Sequence, residues 1–236
     1  MHLVESEEQL NTIELFAGVG GFRLGLEGVH GKPFQVTVSN QFDPSRNVQH
    51  ASNIYRTRWG GDGHLKQDIA AVLNSKAGQE VIRLARPDVI VGGFPCQDYS
   101  VVKPPLQAQG VVGKKGVLWW SIAELLRQRL SDGEPVKYLI LESVERLISS
   151  PAMCCGRDFA MVLSTLYQLG YAADWRVVNA ADYGFPPRRR RTFVVGYHES
   201  TGVHRRAKEE LSDGSSVWFD RSIVSAKTST PFFEGR

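Results

Sequence analysis

The sequence predicts an α/β protein built on a doubly wound, mostly parallel sheet, and three observations predict it. Apolar runs of strand length recur at residues 11–16, 34–39, 88–91 and 136–141, and stretches with helical spacing lie between them. Two of the runs empty into glycine-rich turns, Ala17-Gly18-Val19-Gly20-Gly21 and Gly92-Gly93-Phe94-Pro95. The chain of 236 residues has no internal repeat and suits one large domain, with or without a small appendage.

In chain order, Asn11 to Phe16 reads as the first strand. A helix carrying Phe22, Leu26 and Val29 at helical spacing follows its glycine turn. The alternating run Phe34-Gln35-Val36-Thr37-Val38-Ser39 is the second strand, ending at Asn40-Gln41-Phe42-Asp43. Residues 45–59 read as helix, 66–69 as the tip of a short strand, and 79–85 as a helix leading into the strand at Asp88. From Gln97 to Gly116 runs a loop of about 20 residues, longer than a compact domain normally carries without a purpose. Leu118, Ile122, Leu125 and Leu126 mark an amphipathic helix, broken by Asp132-Gly133-Glu134-Pro135. The strand at 136–141 then ends at Glu142. Residues 159–169 form another helix, closed by Gly170. Residues 175–178 and 192–197 read as late strands in a hairpin around 183–191. Beyond His198 the pattern weakens and the composition turns polar.

A chain of this length buries a substantial core without staples. Its three cysteines, two of them adjacent at Cys154-Cys155, have neither disulfide-framework nor zinc spacing, so no metal is expected and a reducing compartment fits. No apolar run approaches the roughly 18 residues of a membrane span, and the first residues do not resemble a signal peptide, so the expectation is a soluble, cytoplasmic protein. The net charge of +3 does not announce a nucleic-acid binder, but its distribution is uneven. Arg188-Arg189-Arg190-Arg191 is one dense block, and Lys114-Lys115 is a smaller one.

Four places can carry chemistry. The first glycine turn fails the dinucleotide pattern, because Arg23 takes its last glycine position, and it lacks the Gly-Lys-Ser/Thr of a phosphate-binding loop. It fits either a nucleoside ligand without a pyrophosphate, with Phe16 and Phe42 flanking an adenine, or a tight strand–helix turn with no ligand. Cys96 follows a strand's carboxyl end, where ligands bind in open α/β sheets, although free cysteine is also a common core residue. Glu142, ending a neighbouring strand, reads as an ordinary strand-end carboxylate or as a general acid paired with that cysteine. In an extended strand Arg189 and Arg191 point one way, and Arg188 and Arg190 the other. One pair can therefore serve a site while the other meets phosphates or solvent.

In this order the pieces resemble the catalytic domain of DNA cytosine-5 methyltransferases. Glu14-Leu15-Phe16-Ala17-Gly18-Val19-Gly20-Gly21-Phe22 is similar to the family's cofactor motif, and Gly92-Gly93-Phe94-Pro95-Cys96-Gln97 to its Pro-Cys nucleophile motif. Leu141-Glu142-Ser143-Val144 resembles its Glu-Asn-Val motif, and the stretch from Tyr183 to Arg191 its Gln-x-Arg-x-Arg motif. Asp68-Ile69 and Gly116-Val117-Leu118-Trp119 match weaker blocks. The resemblance covers about residues 11–197. It implies an S-adenosyl-L-methionine-dependent methyltransferase fold at 1–197, followed by an extension at 198–236 that binds a partner. It further implies Cys96 as nucleophile, Glu142 as the residue holding cytosine at N3, and Arg189 and Arg191 orienting the base. The cofactor would be contacted by Phe16, Gly18, Gly20, Gly21, Gln41, Phe42, Asp68 and Ile69.

The departures from the family pattern carry expectations too. Ser143 stands where the family has an asparagine that shapes the cysteine loop. Pro187 replaces a glutamine, and Gln41 an acidic residue that meets ribose. No target-recognition domain and no final Gly-Asn-Ser-Val-like motif follow residue 197. The resemblance therefore implies double-stranded DNA as substrate and a second polypeptide that supplies both missing parts. Two alternatives stay open: a non-catalytic paralogue that binds DNA or regulates an active partner, and a tRNA methylase of the same superfamily.

Overall fold

The computed structural model describes residues 9–94, 117–149 and 156–212. Cys96, the loop after it, Lys114-Lys115, Cys154-Cys155 and everything beyond 212 lie outside the described residues. Seven strands form one sheet: β1 (Leu10–Leu15), β2 (Phe34–Asn40), β3 (His64–Leu65), β4 (Val89–Gly93), β5 (Tyr138–Val144), β6 (Tyr171–Asn179) and β7 (Arg190–His198). Their spatial order is β3-β2-β1-β4-β5-β7-β6. All neighbours pair in parallel except β7, which runs against both β5 and β6. The strand order reverses between β1 and β4, which creates the crevice where open α/β sheets take ligands.

One face of the sheet is fully clothed. Ile13, Leu15, Ile90, Leu139, Leu141 and Val194 point into a core shared with α3 (Ile69–Asn74), α4 (Lys76–Ala85), α5 (Val117–Ser131) and α6 (Arg157–Gln168). The alternation that turns these residues to one face turns Val89, Val91, Tyr138 and Ile140 to the other. There α1 (Gly21–Glu27) supplies Leu26, while Phe22, Tyr138 and Ile140 are only partly buried. On that second face α2 (His50–Trp59) leans Tyr55 over Glu14 of β1.

The strands predicted at 11–16, 34–39, 88–91, 136–141, 175–178 and 192–197 all form, the last two as a hairpin, but the strand tip predicted at 66–69 does not. Two helices were not legible. Residues 66–68 lead into α3, which begins at Ile69, instead of forming a strand tip, because Asp68 accepts a hydrogen bond from the Ala70 N–H and caps the helix there. Beyond His198, α7 (Gly202–Ser212) packs against β6 and β7 and buries Ala207. Its sequence is polar on most sides, so the periodic signal is weak.

Candidate active site

At the carboxyl end of β1 the chain turns through Phe16 and Gly18, with φ of 54° and 56°, and reaches Gly20 at 84°. Gly20 is the N-cap of α1 and offers no side-chain cap. That work falls to Glu14, whose Oε1 accepts from the Arg23 N–H at 3.2 Å. Its Oε2 accepts from the Tyr55 hydroxyl at 2.9 Å. Glu14 is completely buried, and burial pushes its carboxyl above the ordinary 4.5 despite these hydrogen bonds. Burial likewise pushes the Tyr55 hydroxyl up to about 12. Gly20 is also a steric requirement, since a Cβ there would lie 2.1 Å from the Trp59 ring. The Arg23 guanidinium lies 5.5 Å from the centre of that ring.

The scaffold continues outward. The His64 ring stacks on Tyr55 at 4.7 Å and hydrogen-bonds the Ser39 hydroxyl through Nδ1 at 2.8 Å and the Ser52 hydroxyl through Nε2 at 2.7 Å. Burial, together with Arg56 and Lys66 nearby, holds its pKa below the ordinary 6.5. Five elements (β1, β2, β3, α1 and α2) thus meet behind the glycine turn. The turn is in turn clasped from the front. Gln41 Oε1 accepts from the Gly18 N–H at 2.7 Å, and the Ala17 N–H donates to the Asn40 carbonyl at 2.9 Å. The Asn40 amide donates to the carbonyls of Leu65 and Gln67, which draws the Asp68 segment to the same edge.

The residues expected at the cofactor therefore gather in one place, though not all in one role. Gly18, Gly20, Gly21 and Gln41 form and hold the turn. Phe16 packs against the main core, and Phe42, which follows Gln41 in sequence, is 36% exposed. Asp68 uses Oδ1 to cap α3, and the Ile69 side chain is core, leaving its backbone for any ligand contact.

Across the crevice β4 and β5 run in register, so Gly93 lies opposite Glu142. Because β7 is antiparallel, its first residues reach the edge where β5 ends, and Glu142 pairs with Phe193 and Val144 with Arg191. The Glu142 Oε1 receives Arg191 Nε at 2.9 Å and lies 3.7 Å from Arg189 Nη2. Arg190 turns away and pairs with Glu145 at 2.7 Å. The other carboxylate oxygen, Oε2, sits over Gly93, where a Cβ would come within 3.1 Å of it. Lacking a side chain, Gly93 leaves room for that oxygen.

The backbone just before Pro95-Cys96 is pinned from both sides. The Phe94 N–H donates to the Glu142 carbonyl, and the Phe94 carbonyl accepts from the Ser143 hydroxyl, each at 2.9 Å. The Phe94 ring is buried against Trp119. Ser143, where an asparagine was expected, holds the entry to the cysteine segment directly. Cys96 itself lies outside the described residues. Sequence reasoning overlooked Tyr55, Ser39, His64 and Trp59. The one available signal was Glu14, a carboxylate at an inward strand position that must find buried donors.

The doubly wound sheet, a glycine turn without phosphate-binding features, and a carboxylate clamped by arginines across the switch point define a methyltransferase-type α/β domain. The family described as C-5 cytosine-specific DNA methylase matches residues 10–226, and the chain belongs to that family. The type II methyltransferase M.Sau3AI of Staphylococcus aureus is 46% identical over 205 residues, covering 87% of this chain and 47% of the relative. M.NgoBI of Neisseria gonorrhoeae is 31% identical over 194 residues, covering 80% of this chain and 51% of its own length. Among solved structures, a putative DNA modification methyltransferase from an Escherichia coli prophage matches with a TM-score of 0.57 at 25% identity, over 81% of this chain and 47% of that one. The Schizosaccharomyces pombe Dnmt2 methyltransferase matches with a TM-score of 0.61 at 15% identity, over 82% and 52%, a likeness of fold. The chain spans about half the length of these relatives. The family's methyl donor is S-adenosylmethionine.

Proposed function

We propose that this chain is the cofactor-binding and catalytic half of a DNA cytosine-5 methyltransferase that acts on double-stranded DNA through a covalent cysteine adduct. The observation that carries the reading is the meeting of Glu142, Arg189 and Arg191 beside a Phe94 backbone anchored directly before Pro95-Cys96. C5 of cytosine is too weak a nucleophile to take a methyl group unaided. The Cys96 thiolate adds to C6 and pushes electron density toward C5. Glu142, with Oε1 held by Arg191, turns Oε2 to N3 of the ring and limits charge build-up as the adduct forms. Arg189 and Arg191 orient the base and favour the thiolate. Bound in the crevice, S-adenosylmethionine supplies the electrophilic methyl that C5 takes up. Loss of the C5 proton then expels the thiolate. The base must first leave the duplex stack.

The cofactor fits the residues present. The turn at Gly18–Gly20 has no cradle for a pyrophosphate, while Phe16, Gln41 and Phe42 offer apolar and hydrogen-bonding surface suited to a nucleoside. A second polypeptide supplies target recognition and the last cofactor motif, and residues 198–236 are the part that meets it. Apolar Phe22, Tyr138 and Ile140 on the thinner face of the sheet, which are only partly covered, support a further surface packing on this domain. Trapping on duplex DNA containing 5-fluorocytosine tests the chemistry, because fluorine at C5 blocks the final elimination and leaves the adduct in place. With S-adenosylmethionine and the second polypeptide present, the native chain gives a denaturation-resistant complex and Cys96→Ser gives none. A complex that survives the substitution removes Cys96 from the nucleophile role.

A further inference from the structure

The sheet ends in β6, and among the described residues no strand pairs with its outer side. In an antiparallel pair, alternate residues direct both their N–H and C=O groups to the same neighbour. The Ala180 N–H donates to the Arg189 carbonyl, and the Gly170 carbonyl accepts from the Glu199 N–H. The register between these points is unbroken, so the even-numbered residues of β6 serve β7. Ala173, Trp175 and Val177 therefore present their backbone outward as the open edge of a ladder. Trp175, at mid-strand, is 43% exposed, with Phe159 edge-on to its ring at 5.1 Å. On the other face, Asp174 is 8% exposed, and its buried Oδ2 has no hydrogen-bond partner. Such an oxygen is costly to bury without a cation. Arg176 lies half-buried on that same face, and its guanidinium carries enough donors for more than one acceptor.

A lone charge on an edge strand discourages pairing, but these two are placed symmetrically about Trp175. A second copy laid antiparallel along the edge, with the two-fold axis at Trp175, sets each Asp174 opposite the second copy's Arg176. The outward backbone groups then meet in register and close about ten ladder hydrogen bonds. Asp174 and Arg176 fall at the non-hydrogen-bonded positions, where facing side chains come closest. Sliding the second copy by two residues sets Asp174 against Asp174 or Arg176 against Arg176, so charge selects one register. We infer that the β6 edge is a self-complementary docking surface, through which two copies of this chain join into one continuous sheet.

The test measures the mass of the native chain by light scattering over a range of concentrations, with backbone amide exchange followed by NMR. The expected result is a concentration-dependent dimer. The Ala173, Trp175 and Val177 amides gain protection as it forms, while those of Asp174 and Arg176, already bonded to β7, change little. Ala173→Pro removes an outward donor that β7 does not use, so the chain still folds and its dimer dissociates about 100-fold more readily. Arg176→Asp and Asp174→Arg each set like charges face to face and give monomers. Mixing those two variants restores a dimer, because opposite charges face each other again across the mixed pair. Ala173→Pro and the exchange pattern keep the test decisive if Asp174→Arg fails to fold. A native chain that stays monomeric at about 1 mM, or a dimer that tolerates Ala173→Pro, overturns the inference. Protection of the three outward amides in a monomer overturns it too and assigns the edge to residues 213–236 of the same chain. Protection that appears only with a different polypeptide assigns the edge to that partner instead.

Discussion

Glu14 and Glu142 are both carboxylates on strands at one edge of one sheet, and they are built in opposite ways. Glu14 is fully buried and accepts hydrogen bonds from Tyr55 and the Arg23 backbone, behind a glycine turn that a stacked histidine and two serines brace from outside. Glu142 is one-fifth exposed, and its partners Arg191 and Arg189 are 24% and 58% exposed. Removing Glu14 strips buried donors of their acceptor, whereas exposed ion pairs such as Arg189–Glu142 contribute little to folding. The glycine-turn end therefore carries stability. The Glu142 end, catalytic in the proposed function, presents its charges to whatever arrives.

That contrast can be broken by substitution, and the largest effect is expected at the exposed end. Glu142→Gln and Arg191→Ala each lower methyl transfer by about 100-fold or more while moving the melting temperature by no more than about 2 °C. Loss of stability in step with activity would make the pair structural. At the buried end the order reverses. Glu14→Ala leaves the Tyr55 hydroxyl and the Arg23 N–H unsatisfied, and chemical denaturation should show a loss of about 3 kcal/mol. A loss under about 1 kcal/mol would mean that water satisfies these groups.

Ser143 links the two ends of this comparison, being buried like Glu14 yet one residue from Glu142. Ser143→Ala should cost about 1 kcal/mol in folding and lower transfer about tenfold, because the segment entering Cys96 loses one of its two anchors. Equal transfer by the two proteins would show that the Phe94 N–H anchor suffices.

The smallest effect is in pH dependence. His64 has a lowered pKa, so the stability it confers is complete above 6.5 and is lost as pH falls through the lowered value. Glu14 has a raised pKa, so its contribution is complete below 4.5 and is lost as pH rises through the raised value. Between those limits the two slopes oppose each other. Melting curves should show a steeper acid-side loss for the native chain than for His64→Gln, and Glu14→Gln should flatten the neutral side. Identical curves for all three would remove both groups from the balance.

The alternation of apolar runs made the sheet readable from sequence, and the motif stretches made the meeting of Glu142 with Arg189 and Arg191 readable. Glu142, Arg189 and Arg191 were legible because strand alternation decides which arginines face a neighbouring carboxylate. The brace behind the turn was not. Ser39, Ser52 with Tyr55, and His64 come from three separate stretches of chain, and their roles depend on hydroxyl and ring contacts that no local pattern encodes. The helix α3 escaped because its six residues are too few for a periodic signal, and α7 because it is polar on most sides.

The central proposal is that the glycine turn holds the cofactor, that the Glu142 edge is catalytic, and that a second polypeptide completes the enzyme. Transfer of labelled methyl from S-adenosylmethionine to duplex DNA, with the purified chain alone and co-expressed with the second polypeptide, tests it most directly. The account predicts label at C5 of cytosine, weak with the chain alone, restored by the second polypeptide and abolished in Cys96→Ser. Full transfer by the chain alone would contradict the division of labour, and label at any other atom would contradict the chemistry.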